Sequence, residues 1–291
     1  MSIIKDFIYS YIIGDSFGLS LLNNSYNKIK LLDNKVLNIE KGSISSMSTF
    51  MLCTMESIGT NKNIVPIDIL NKMCTSLIVG KYTTNGKVYD LDNNTLNILT
   101  YYSKKNNLNI EYNELDYSSY ALSRIVPLIL FNYYNEDDLD KLVSLISITN
   151  VNEEVLFGSY IYYKYVLNLL KGKDKYKALK MEIPKGFSNE VKNKYKNILK
   201  GNIFYSEIEF NNEIINVISI IFYVILNSDN FNDIFNMISN IDGNTNIYSS
   251  LICGIGGILY GKDKIDKCII KDIKNKKDIN KWIKDFERKI L

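Results

Sequence analysis

The 291-residue chain contains no histidine, so it lacks the side chain that most often serves as a general base near neutral pH. Acid–base or nucleophilic chemistry falls to carboxylates, lysine, tyrosine or thiols. The four cysteines, Cys53, Cys74, Cys253 and Cys268, have no Cys-x-x-Cys spacing and read as free thiols of a reducing compartment. Without histidine to complete a mixed set, zinc is not expected. Four segments stand out. Ile13-Gly-Asp-Ser-Phe-Gly-Leu-Ser-Leu-Leu22 sets Asp15 between glycines and by itself reads as a helix bend in close packing. Ser45-Ser-Met-Ser-Thr-Phe-Met51 reads as an N-capped helix start. Ser118-Ser-Tyr-Ala-Leu-Ser-Arg-Ile-Val-Pro-Leu128 places Pro127 three residues after Arg124 inside an apolar run, an odd choice for a helix. Arg124 alone reads as a buried or capping ion pair. The fourth segment, 240–261, runs from Asn-rich into a glycine-rich tail.

Taken in order, the four segments resemble the signatures of the ADP-ribosylglycohydrolase family. Gly14, Asp15 and Gly18 match its Gly-Asp-x-x-Gly-x-x-x-Glu, with the glutamate falling on Leu22. Thr49 and Met51 match Thr-Asp-Asp-Thr-x-Met; Ser46 replaces the first threonine, and Met47 and Ser48 replace the aspartates. Ser118, Arg124, Pro127 and Leu128 match Ser-Asn-Gly-x-x-Met-Arg-x-x-Pro-Leu. Thr149-Asn150 stands where the family often has Thr-His. In the last signature Thr245, Gly257, Tyr260 and Gly261 match, while the aspartates fall on Asn244 and Asn246 and the final threonine on Ile247.

The resemblance implies an all-α fold, a single-domain orthogonal helical bundle spanning 1–291. It also implies a pair of magnesium ions that orient the ribose as the glycosidic bond breaks. The family's metal positions correspond to Leu22, Ser46, Met47, Ser48, Asn244, Asn246 and Ile247. Leu22 and Met47 cannot ligate a hard cation, and Ser48, Asn244 and Asn246 offer neutral oxygens only. Magnesium is therefore expected to be absent and no other cofactor is implied. The expected protein is a catalytically degenerate member that binds an ADP-ribose-like nucleotide, or a protein partner, through the former cleft. Ser46, Ser48, Thr49, Asn244, Thr245 and Asn246 would form a neutral hydrogen-bonding floor, with Ser118, Ser119 and Asn150 beside it. Tyr89, in the loop 86–95, is placed to stack on a base. Asp15 is the surviving acidic motif residue and the weak catalytic candidate. Two alternatives stand beside this reading. One is an active hydrolase with altered or metal-free chemistry on Asp15, Asp116 or Asp242. The other is a scaffold whose cleft is filled by Leu22, Met47, Ile247 and Tyr248.

The elements that must hold these residues are helical by period. Leu139, Leu142, Val143 and Ile146 recur at three- and four-residue steps, as do Phe231, Ile234, Phe235 and Ile238. Pro66 fits a helix start, and Asp229 or Asn230 a cap for the helix through Met237. The run 214–226 reads as a buried helix too short to span a bilayer. Short extended pieces are expected at 36–39 and 203–210. The Lys/Asn-rich stretch 171–200, with its Pro184-Lys-Gly186 turn, reads as a mobile insertion. A net charge of +3 is too mild to imply nucleic acid or a membrane surface, and 262–289 mixes both signs as a solvated helix face does. With no secretory pattern at the N-terminus, a cytoplasmic protein is expected.

Overall fold

The computed structural model describes residues 2–22, 29–107 and 109–291, and its regular elements are helices. The first seven are α1 (Ile3–Leu21), α2 (Ser46–Asn61), α3 (Pro66–Val79), α4 (Asn93–Lys105), α5 (Ile125–Tyr134), α6 (Leu139–Ile146) and α7 (Glu153–Leu170). They are followed by α8 (Asn189–Lys194), α9 (Lys196–Leu199), α10 (Ile214–Leu226), α11 (Phe231–Ile238), α12 (Thr245–Tyr260), α13 (Lys267–Asp272) and α14 (Lys276–Ile290). A 3-10 turn, Ser119–Arg124, leads into α5, so Pro127 stands in the first turn of α5 where its missing N–H costs nothing. No helix among the described residues is long and apolar enough to cross a membrane.

The frame is set by α1 and α12, which run antiparallel at backbone contact. A Cβ on Gly14 would stand 2.2 Å from the Ser249 carbonyl oxygen, and one on Gly257 2.3 Å from that of Asp6. Only hydrogen at these positions lets the two backbones approach so closely. Two hydroxyls lock the pair: Thr245 Oγ1 donates to the Gly18 carbonyl at 2.6 Å, and Ser249 Oγ to that of Gly14 at 2.7 Å. Because α1 is enclosed, it is apolar nearly all round, and every residue from Phe7 to Leu21 is buried. Around this pair α10 packs on α12 and α7, while α2 packs on α3, α5 and α14.

Local signals explain most boundaries. Pro66 opens α3, and Asn230 caps α11 by accepting from the Asp233 N–H at 3.0 Å. The apolar run becomes α10 with the bounds its composition implies. The two extended pieces do not form strands: among the described residues there are only isolated bridges, Asn34–Ile39 and Ser118–Glu213. In 203–210 the chain makes a 3-10 turn at Tyr205–Glu207. Tyr205 there packs its ring against Phe210 and Tyr223 instead of alternating across a pleat. The stretch 171–200 carries α8, α9 and a turn at Lys177–Leu179, and it buries Ala178, Leu179, Val191, Tyr195 and Ile198.

Candidate functional site

The N-terminus of α2 is the point where the motif segments meet. Ser45 is its N-cap, accepting from the Met47 N–H at 3.1 Å. Asp15, fully buried on α1, completes the cap from a second helix. Its Oδ2 accepts from the Ser45 N–H at 2.9 Å and the Ser48 N–H at 3.1 Å, and its Oδ1 from the Ser45 hydroxyl at 2.5 Å. A carboxylate is the right group here, since the first turn of a helix offers unpaired N–H donors and a positive dipole end. Burial still pushes the Asp15 carboxyl up to about 6, with the Ser45 and Ser48 hydrogen bonds pulling it back.

From Ser45 the network passes to α12 and then to a loop. Asn246 Nδ2 donates to Ser45 Oγ at 3.1 Å and to Asp90 Oδ2 at 2.6 Å. The Tyr120 hydroxyl donates to the same Asp90 oxygen at 2.8 Å. The backbone of this loop is held on α2: Ser46 N–H donates to the Tyr89 carbonyl at 2.8 Å, and the Ser46 hydroxyl to the carbonyl of Asp90. Asp90 sits at φ 51°, in the left-handed region that Asp tolerates better than most residues. Asp90 is half-buried, and burial raises its carboxyl against the pull of Asn246 and Tyr120. Thr49 Oγ1 reaches the Tyr82 carbonyl of the same loop at 3.4 Å.

Ser46, Ser48, Thr49, Thr245 and Asn246 of the expected floor lie near one another beneath the 82–92 loop, and Asn244 does not join their network. Ser46, Ser48, Thr49 and Asn246 are fully buried, and Thr245 is 3% exposed. Tyr89 and Asp90, both half-buried, lie over them. The Tyr89 ring packs on Leu19, Leu22 and Ile39, and its hydroxyl accepts from Asn85 Nδ2. Asn244, the residue before α12, makes no side-chain cap and stays outside the network. Leu22, Met47, Ile247 and Tyr248 are all buried, and the Tyr248 hydroxyl donates to the carbonyls of Ile241 and Asp242.

Ser118, Ser119 and Asn150 belong to a neighbouring cluster. Asp116 accepts from the Ser118 N–H, from Asn94 Nδ2 and from Asn150 Nδ2, and Asn94 also donates to the Thr149 carbonyl. Ser118 Oγ starts the 3-10 turn by accepting from the Tyr120 N–H. Arg124 corrects its expected role. It is fully buried with no carboxylate at ion-pair distance among the described residues, and Nη2 donates to Thr149 Oγ1 at 2.7 Å. Burial pulls its guanidinium down to about 10, opposed by the charge of Asp92. Nε and Nη1 of Arg124, the Ser119 hydroxyl and Asp92 Oδ2 are buried without a protein partner.

The three carboxylates of the metal-free hydrolase alternative are not brought together. Asp15 is committed to α2, Asp116 to its asparagines, and Asp242 is exposed on the approach to α12. The donor set does not fit two magnesium ions. Leu22 and Met47 carry no ligating oxygen, and Asn246 turns its N–H donors toward the network. Among the described residues no group of three or more acidic, cysteine or histidine side chains could hold a metal. The residues that sequence reading passed over are Asp90 and Tyr120. The signals for them were the positions of Asp90 inside the 86–95 loop and of Tyr120 inside the 118–128 segment.

A family model described as ADP-ribosylglycohydrolase matches residues 3–290. A solved structure titled "ADP-ribosylglycohydrolase-related protein complex" superposes with a TM-score of 0.79, covering 99% of this chain and 98% of that one at 13% identity. At that identity the likeness is one of fold. No curated protein sequence matches the chain.

Proposed function

This chain belongs to the ADP-ribosylglycohydrolase family, and from that premise we propose a member that binds a ribose-bearing ligand of the ADP-ribose type without hydrolysing it. The observation that carries the reading is the Asn246–Asp90 contact at 2.6 Å. At a position where the resemblance places a magnesium-holding aspartate, an amide donates to a carboxylate brought in by a loop. An aspartate there would face Asp90 with like charge. The site is built around a protein carboxylate, and a half-buried carboxylate is a good acceptor for the vicinal hydroxyls of a ribose. Buried donors without a protein partner, Ser119 Oγ and Arg124 Nε and Nη1, add polar groups that call for water or ligand oxygens.

Calorimetric titration with ADP-ribose in EDTA tests the proposal. Binding is expected without magnesium, and Asp90→Ala should weaken it at least tenfold. If neither ADP-ribose nor AMP binds, the nucleotide reading is lost. One observation favours a second reading, a scaffold acting on a protein partner: the expected floor is covered by the 82–92 loop. That same negative titration is its expected result.

A further inference from the structure

A second cavity lies far along the chain from these motifs, in the Lys/Asn-rich stretch that the site does not use. It measures about 420 Å³. Its floor is apolar: Phe157 of α7, Ile183, and Leu199 of α9. Lys185, Lys192, Lys196 and Lys200 stand around it. None of the four makes an ion pair among the described residues, although Glu182 and Glu190 lie in the same stretch. Lys194, in the same stretch, takes the nearby glutamates, Glu154 at 2.7 Å and Glu190 at 4.0 Å. Glu153 accepts from the Ser188 N–H at 2.5 Å, and Glu182 lines a different cavity with Asp137 and Lys164. Among the described residues Lys185, Lys196 and Lys200 make no ion pair, and Lys192 Nζ only approaches the Lys185 carbonyl at 3.5 Å.

The backbone that carries the lysines is held in place. Lys192, Lys196 and Lys200 follow at four-residue steps, and Tyr195 between them is fully buried. The Tyr195 ring meets Phe157 at 5.2 Å, and Phe187 meets Phe157 at 4.8 Å. This aromatic cluster fastens α8 and α9 to the bundle. Like charges gathered without counter-charge repel one another, and a cleft lined by one sign concentrates ions of the other. A volume of this size suits a small molecule, and an apolar floor under ammonium groups suits one with an apolar body and an anionic head.

We propose that this cavity binds an amphiphilic anion, a carboxylate or phosphate carried on an aliphatic or aromatic body. The site is independent of the motif cleft and stands whether or not that cleft binds a nucleotide. Titration calorimetry with dodecanoate and with 1-naphthyl phosphate, each below its aggregation limit, tests it on the full chain. Dodecyltrimethylammonium serves as the charge-reversed probe. At least one of the two anions should bind in the micromolar range, the cation should not, and the arm that binds identifies the body. K192Q/K196Q/K200Q should weaken binding at least tenfold, while K281Q/K284Q on α14 leaves it unchanged. No anion binding below millimolar concentration overturns the proposal. Equal binding of the cation, or an unchanged affinity in the triple variant, overturns it as well.

Discussion

Asn246 donates from one amide nitrogen to two acceptors, Ser45 Oγ and Asp90 Oδ2, and so joins α12 to the cap of α2 and to the 82–92 loop. Asn246→Asp removes both donors and sets a carboxylate against Asp90 in a buried place. Stability should fall by about 2–4 kcal/mol in urea unfolding, from lost hydrogen bonds and an unpaired buried charge. Adding Asp90→Asn should recover at least half of that loss, which simple mispacking at 246 would not allow. Asp15 gives a pH signature that is read as the difference between the wild type and Asp15→Asn, since other carboxyls such as Asp90 and Asp116 are raised as well. Its carboxyl, raised to about 6, holds more protons in the folded state than in the unfolded one between roughly pH 4 and 6. Its contribution is therefore full below about pH 4 and is lost as pH rises through about 6. Across that interval the urea midpoint of the wild type should fall relative to that of Asp15→Asn. Asp90 was not legible in the sequence, because its partners Tyr120 and Asn246 lie 30 and 156 residues away and no spacing rule reports such a meeting.

Helix boundaries were more legible than contacts between helices. Ser45, Asn230 and Pro66 mark starts through local chemistry, which acts within one turn and is written in neighbouring residues. The Gly-Asp-x-x-Gly segment signalled close packing, and the structure adds the surface it packs against, the first turns of α12. Gly14→Ala should cost about 3 kcal/mol or more, because the new methyl meets the Ser249 carbonyl at 2.2 Å and neither backbone can yield alone. Gly186→Ala, where nothing lies within 4 Å, should change stability by less than about 0.5 kcal/mol. Thermal or urea unfolding of the two variants measures the contrast. The extended pieces were misread because aromatic and β-branched residues at 203–210 suit a pleated surface only when another strand is present to pair with it. In this helical bundle Tyr205 packs on Tyr223 of α10 instead.

At the scale of the molecule, the helical core persists at 13% identity to a solved structure of the same fold. Core volume tolerates wide substitution, and the glycine contacts of α1 and α12 do not. Three of the four thiols, Cys53, Cys74 and Cys253, are buried in this core, and only Cys268 is exposed. Burial pushes the Cys53 thiol up to about 12, which keeps it protonated and unreactive. Native protein should titrate one thiol with a disulfide reagent, and denatured protein four. We propose that a hydrogen-bond network closed on Asp90 stands where the resemblance places the metal centre. Its most direct test is release of ADP-ribose from arginine- or serine-modified protein, followed with magnesium and with EDTA. No release above the buffer rate is expected in either condition. Magnesium-dependent release by the wild type, lost on chelation, would contradict it.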